Sequence, residues 1–320
     1  MIWIAVFVLS FAILYWAGSG TVKGLMKIAK YLGWREFVVA FFIMAFAGSL
    51  PNLFIDLNAA INGMPELSFG DIVGGNTVDM TLAVALAILI GGKPLPVKSR
   101  MVQTSTIFTV VIVVLPWLLI LDNYLGRTDA IILFLAFIVY IIWLFSKEER
   151  FRKTYSLKKK EKKPVRSFKS FIKNLFLTPF FIILLLLASW GVVKSVQEFC
   201  GIFSVNIPII GILIIGLGNT FPETYFSIIS AKKGQTWMIL GDLMGSVIVC
   251  ATLVLAIVAM VQPIQITDFS PFVMARIFMI IAAIFFFVFI KTDKKITRTE
   301  AAILLAFYFI FIFAELAFQG

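Results

Sequence analysis

Ten runs of apolar residues, each about long enough to cross a bilayer, leave this chain very few folds. They fall at 2–18, 37–61, 67–91, 101–121, 129–146, 174–193, 207–231, 237–261, 271–290 and 299–318. In hydrocarbon every backbone N–H and C=O must be satisfied within the protein, and runs of about 20 residues do that as helices. The sequence therefore predicts an all-α polytopic membrane protein with ten transmembrane helices. Composition agrees. Of 320 residues 61% are hydrophobic, 34 are Phe and only 14% are charged, more apolar surface than a soluble domain of this size can bury. The first run has neither a basic leader nor an A-x-A cleavage site, so it reads as a helix that is kept.

A formal net charge of +11 would suit a nucleic-acid partner, but the basic residues sit in short segments between spans, where topology explains them. Place the N-terminus outside, and the inner segments hold all but three of the 28 Lys and Arg. The exceptions are Arg127, Lys194 and Arg276, at outer ends. The positive-inside bias puts both termini outside and the segment 147–173, with its Lys158-Lys159-Lys160-Glu161-Lys162-Lys163 run, in the cytoplasm. That segment reads as a basic linker and topology determinant, able to meet anionic headgroups; it is too short for a folded domain. The expected partners are inorganic cations and membrane lipid, with no nucleic acid, and the expected location is the cell membrane. There is no His, which excludes His-based metal sites and proton relays. Cys200, expected in a loop, and Cys250, in a span, make a poor disulfide pair.

Two of the spans are interrupted. Gly48-Ser49-Leu50-Pro51-Asn52 and Asn219-Thr220-Phe221-Pro222-Glu223 each place a proline and polar side chains inside an apolar run. Ionisable groups at that depth are expensive and mark functional sites by default. Sliding the sequence from Pro51 onto Pro222 aligns 48–86 with 219–257 without a gap and gives ten identities. Among them are Pro51/Pro222, Gly63/Gly234, Gly70/Gly241, Asp71/Asp242, Gly74/Gly245 and Thr81/Thr252. Five spans separate equivalent helices, so the second copy crosses the membrane in the opposite sense. This predicts an inverted repeat, an architecture of secondary transporters. The division is a first five-helix repeat over 1–146 (core repeat 45–86), the linker 147–173, and a second repeat over 174–320 (core repeat 216–257).

Each copy has the same chemistry. Proline removes a helix hydrogen bond and frees a carbonyl one turn earlier. That carbonyl, the hydroxyls of Ser49 and Thr220, and the side chains of Asn52 and Glu223 make an oxygen-rich environment suited to a hard cation. The next helix carries Gly70-Asp71-Ile72-Val73-Gly74-Gly75 in one copy and Gly241-Asp242-Leu243-Met244-Gly245-Ser246 in the other. Its glycines let backbones approach closely. Asp79 and Cys250 stand one turn further on. Asp71 and Asp242 sit near helix starts, where an acid can cap free N–H groups; Asp56 lies one turn beyond Asn52.

The pairing of Asn219-Thr220-Phe221-Pro222-Glu223 with Gly241-Asp242-x-x-Gly245-Ser246 resembles the α-repeat of the sodium/calcium exchanger family, in the calcium/cation antiporter superfamily. The family pattern is approximately G-T-S-L-P-E followed by G-N-x-x-G-S and a polar residue four positions later. By this resemblance the four central ion ligands fall on Asn52, Asp79, Glu223 and Cys250, where the well-known exchangers have Glu, Asn, Glu and Asp. Acid and amide are exchanged in the first repeat, and the acid at Cys250 is missing. Two central carboxylates remain, Glu223 and Asp79, which with Asn52 are the expected metal ligands. Ser49, Asn219, Thr220 and Ser246 are further expected cation ligands, and Asp56, Asp71, Asp242 and Cys250 additional candidates.

The resemblance implies an antiporter, not an enzyme, with no cofactor. Its transported ions would be Ca²⁺ and Na⁺, or Ca²⁺ and H⁺ if Glu223 or Asp79 carries the proton. The first and sixth helices would slide against the rest to expose a midplane site alternately. The altered ligands leave open an exchanger of another cation, such as Mg²⁺ or a monovalent pair. A cation channel would need a continuous polar path. An intramembrane enzyme would need His or Asp clusters or a Ser–Lys pair, which the sequence lacks.

Overall fold

The computed structural model describes residues 2–32, 44–97, 100–146, 168–203, 206–234, 236–292 and 294–319. Among them nine helices are long and apolar enough to cross a membrane; the shorter Leu50–Ile61 completes the interrupted second span. Among the described residues the regular structure is helical apart from two small two-stranded ladders.

The first and sixth helices are much longer than the apolar runs at 2–18 and 174–193. They cover Ile2–Leu32 and Phe168–Phe203. At 31 and 36 residues they are about 46 and 54 Å long, against a hydrocarbon core of about 30 Å. Lys23 and Lys27 thus ride on a helix that continues past its apolar stretch, and the linker expected over 147–173 gives up 168–173 to a helix. Cys200 is helical too, not in a loop. Residues 147–167 lie outside the described residues.

These two helices form an antiparallel pair. Phe7 meets Phe199 (ring centroids 5.5 Å), Trp16 meets Phe181 (5.2 Å), and Tyr31 stacks on Phe171 (4.3 Å). A side chain at Gly191 would reach within 2.3 Å of the Ser10 hydroxyl, and one at Gly24 within 2.3 Å of that of Thr178. Small residues here let the two helices lie close together.

The apolar core is divided. One cluster runs through most of the helices, from Phe69, Val84 and Val113 to Leu255, Phe286 and Phe311. The second joins Leu14, Ala17, Phe181, Leu185 and Val192 of the long pair to Leu50, Ile55 and Ala59 of the second span, and to Ile210 and Ile215. The pair is thus packed on the body through its own cluster.

The inverted repeat reaches further than the sequence identities. Gly63 and Gly234, which end the two interrupted helices, both have positive φ (75° and 71°), the conformation glycine adopts without strain. Asn123 and Lys294, at the same repeat spacing, are the non-glycine residues with positive φ among those described (64° and 52°). Each begins a ladder. Leu95 and Pro96 pair with Ile296 and Lys295; Tyr124 and Leu125 pair with Gln265 and Ile264. The two ladders flank opposite ends of the helix Arg100–Leu119, as mates related by inversion must.

Candidate functional site

The interrupted spans break two residues before their prolines. Ser49 (φ −79°, ψ 2°) and Thr220 (φ −86°, ψ 0°) both leave helical geometry, and Pro51 and Pro222 fall in the first turns of Leu50–Ile61 and Phe221–Lys232. Helical bonding resumes at once, with Leu53 N donating to the Ser49 carbonyl (3.0 Å) and Thr224 N to that of Thr220 (2.9 Å). Lacking N–H groups, the prolines leave the Ala47 and Gly218 carbonyls without their usual helix donors. The Thr220 hydroxyl donates to the Gly216 carbonyl (2.9 Å), which keeps its oxygen lone pairs as acceptors.

The next helix of each repeat contains a π-turn, Asp79–Ala83 in the first and Cys250–Val254 in the second. The candidate ligand is the first residue of each. A π-turn widens the helix by one residue and is frequent at functional sites. Thr81 donates to the Thr77 carbonyl and Thr252 to that of Ile248, each at 2.5 Å, so the same hydroxyl supports both turns. The identity Thr81/Thr252 was the sequence signal for this feature, although helical periodicity cannot distinguish a π-turn.

The glycines of the second motif do what their spacing suggests. A side chain at Gly74 would stand 2.0 Å from the Ile212 carbonyl oxygen, one at Gly70 2.7 Å from that of Pro208, and one at Gly216 2.6 Å from the Gly75 nitrogen. The helix from Pro65 therefore lies backbone to backbone against the start of the seventh span. That span has its own π-turn there, Ile210–Ile215.

Candidate ligands pair across the repeats. Asn52 Nδ2 donates to Cys250 Sγ at 3.6 Å. The equivalent pair in the other sense is Glu223 and Asp79, and Asp79 is the carboxylate that acts most strongly on Glu223, followed by Asp242. Asp79 in turn has the Ser246 hydroxyl and the Asp242 carboxylate as neighbours. One crossing pair is thus doubly acidic and the other neutral. Neither oxygen of Glu223 has a donor, nor has Asp79 Oδ1 or Asn52 Oδ1, and all three residues are buried. Gly48 lies against the Glu223 carboxylate: a Cβ there would be 3.8 Å from Oε1.

Asp71 and Asp242 are not helix caps. Helices Pro65–Val78 and Thr236–Val249 begin a full turn and more before them, and both acids are buried in mid-helix. Asp71 Oδ2 accepts a 2.6 Å bond from Asn219 Nδ2, so the second break is tied to the first repeat. Asp56 is fully buried beside Asp71. Ser49 is buried at the first break. Among the described residues no three acidic or cysteine side chains converge closely enough to hold a metal ion by themselves, so any cation here needs carbonyl, hydroxyl and amide oxygens as well. No Lys or Arg is buried among the described residues, so no basic side chain of the described core offsets these carboxylates. A crevice of about 490 Å³ between Phe7, Phe11 and Tyr15 of the first helix and Pro51, Asn219 and Pro222 leads to both breaks.

The profile of the family described as sodium/calcium exchanger protein matches residues 2–146 and 173–317. An uncharacterized membrane protein of Methanocaldococcus jannaschii is 23% identical over 313 residues, 96% of this chain and 95% of that one. The sodium/calcium exchanger MaX1 of Methanosarcina acetivorans is 23% identical over 91% of this chain and 92% of its own. Among solved structures the sodium-calcium exchanger NCX_Mj, soaked with 10 mM Na⁺ and zero Ca²⁺, superposes with a TM-score of 0.66 at 21% identity over 98% of both chains. The interrupted helices, their crossed polar pairs and the profile match over both repeats all agree: the chain is an integral membrane cation antiporter of the sodium/calcium exchanger protein family.

Proposed function

We propose that the protein exchanges Ca²⁺ for Na⁺ or H⁺ by alternating access, with Glu223 and Asp79 as the charged ligands of a midplane site. The carrying observation is that these two carboxylates, one from each repeat, are buried and act on each other electrostatically, with no Lys or Arg buried among the described residues. Two negative charges neutralise one divalent ion. Asn52, Ser246, Thr220, Ser49 and the carbonyls at the breaks complete an oxygen shell of the six to eight ligands Ca²⁺ takes. An empty site leaves two carboxylates uncompensated in a dry interior, which opposes crossing without an ion and so favours exchange over leak.

The long antiparallel pair is the moving part in this reading. It packs on the body through a separate apolar cluster and covers both breaks. In this reading the basic segment 147–173, its last six residues helical, faces the cytoplasm from a cell membrane with both termini outside, and it separates the repeats 1–146 and 174–320. Breaks confined to two spans fit alternating access better than a channel, which would need a continuous polar path. One observation favours a second reading, exchange of another cation such as Mg²⁺: the acid expected at Cys250 is absent, so the ligand set departs from the one the family pattern implies.

The test is Ca²⁺ uptake into proteoliposomes of the purified protein, driven in parallel by outward Na⁺ and outward H⁺ gradients. Uptake that Glu223→Gln abolishes in a folded protein is the expected result. No uptake with either gradient, and Mg²⁺ flux in its place, would establish the second reading.

A further inference from the structure

The first helix does not lie flush on the body. Two of its close contacts there are two turns apart: a Cβ at Gly218 would stand 2.6 Å from the Phe11 ring, and one at Gly18 3.1 Å from Pro51 Cγ. Ala12, Leu14 and Tyr15 fall between these contacts in the chain, and they line the crevice of about 490 Å³ that parts the two surfaces. That volume is in the range of small-molecule pockets, about 300–1,000 Å³.

The walls limit what can fill it. No charged residue lines the crevice, and the polar side chains that do are Asn219, whose Nδ2 is already bonded to Asp71, and two exposed tyrosines. Ordered water needs about two to four polar partners, and a cation such as Ca²⁺ needs six to eight oxygens. Neither suits this lining. Left unfilled, the gap forfeits dispersion contacts on both faces. Val8, Ile214, Phe221 and Tyr225 line it and are also exposed, on the spans Ile2–Ile28 and Ile207–Lys232. The crevice is thus continuous with the surface that meets the bilayer, where the filling phase is hydrocarbon.

We propose that the crevice binds one acyl chain of a bilayer phospholipid, and that the bound chain holds the first helix in the position described. The chain touches the first helix on one side and Pro51 and Pro222, at the two breaks, on the other. Sliding of the first helix carries one wall past the other, so the site is complete in one arrangement only. A ligand that fits one arrangement better shifts the equilibrium toward it. Lipid in the crevice is therefore a brake on exchange. The binding site stands on the crevice alone; the brake rests on the exchange reading, with the first and sixth helices as the sliding pair.

The test uses the full chain in proteoliposomes of phosphatidylcholine with a photoreactive diazirine near the end of one acyl chain, and maps the labelled residues by mass spectrometry. Leu14 and Asn219 are 2% and 3% exposed, so a lipid lying on the outer surface does not reach them. The expected result is labelling at both, lost in Ala12→Trp, which fills the crevice from the first helix. Leu135, 55% exposed on another span, should label equally in the two proteins, and equal melting shows that the variant is folded. Labelling confined to exposed residues such as Val8 and Leu135 would mean that no chain enters, whatever Ca²⁺ uptake shows. Labelling of Leu14 that survives Ala12→Trp unchanged would equally refute the site. The brake is read by locking the pair to the body with a short crosslink between Asn58→Cys and Ser189→Cys, whose native side chains bond at 2.6 Å. Against that locked protein, labelling of Leu14 should fall by about half in unlocked protein with Ca²⁺ and Na⁺ on both sides, where the arrangement is populated part of the time. Equal labelling in the two overturns the brake and leaves the lipid site standing.

Discussion

Asn52 Nδ2 stands 3.6 Å from Cys250 Sγ, and this pair is the neutral mate of the crossed acidic pair Glu223 and Asp79. The inverted repeat builds two crossings of one shape, and the side chains give them different charge. Position 250 therefore faces the candidate site through Asn52, and its charge can be tested there.

Cys250→Asp puts a third carboxylate at the crossing. The expected outcome is a changed Na⁺ dependence of exchange, with a lower half-saturating Na⁺ concentration, because a more negative pocket holds monovalent ions more tightly. Flux measured against Na⁺ concentration decides it, and an unaltered curve would mean that position 250 does not face the ion.

If the long helices slide as one body, a link within the pair is harmless and a link from pair to body is not. Cysteines at Ser10 and Gly191 suit a disulfide, since the Cβ atoms would be 3.4 Å apart, near the usual separation. The oxidised double variant is expected to keep exchanging. Asn58 of the second span donates to Ser189 of the sixth helix at 2.6 Å, so cysteines there, joined by a short thiol crosslinker, link pair to body. That link should stop flux until it is cleaved. Arrest by the first link, or none by the second, would refute the sliding pair.

Gly74→Ala drives a methyl group into the Ile212 carbonyl, and overpacking of that kind costs about 1–3 kcal/mol. Gly201→Ala meets nothing within 4 Å in its helix and should be neutral or stabilising. Melting of the two purified variants should move in opposite directions, or at least only Gly74→Ala should fall.

Thr81 and Thr252 each donate a hydroxyl to a carbonyl one turn back from inside the π-turns. Thr81→Val leaves a buried carbonyl without its hydroxyl donor, a loss of about 1–3 kcal/mol. The turn then relaxes and Asp79 shifts, so the half-saturating Ca²⁺ concentration should rise. Thr81→Ser, which keeps the hydroxyl, should restore it in the same flux assay.

The sequence by itself determined the membrane class, the helices and the inverted repeat. Span length and backbone satisfaction in hydrocarbon allow little else, and a proline, glycines and an aspartate recur in register. It also singled out the interrupted segments, since polar groups at that depth stand out against apolar neighbours. It allowed Asp71 and Asp242 a capping role that their mid-helix positions rule out, and it stopped the first and sixth helices where their apolar runs end. A helix extending past the bilayer carries Lys23 and Lys27 without a break in its backbone bonding, so hydropathy does not mark its end.

Only the tertiary structure decided which polar groups meet. Asn52 with Cys250 and Asn219 with Asp71 depend on how two inverted copies cross, and Asp56 meets Asp71 through packing inside the first copy. That crossing is set by backbone contact at Gly70, Gly74 and Gly216 and by π-turns that rephase the helices at Asp79 and Cys250. Neither contact distance nor helix phase is written in residue spacing. Both follow from packing two copies of one motif against each other.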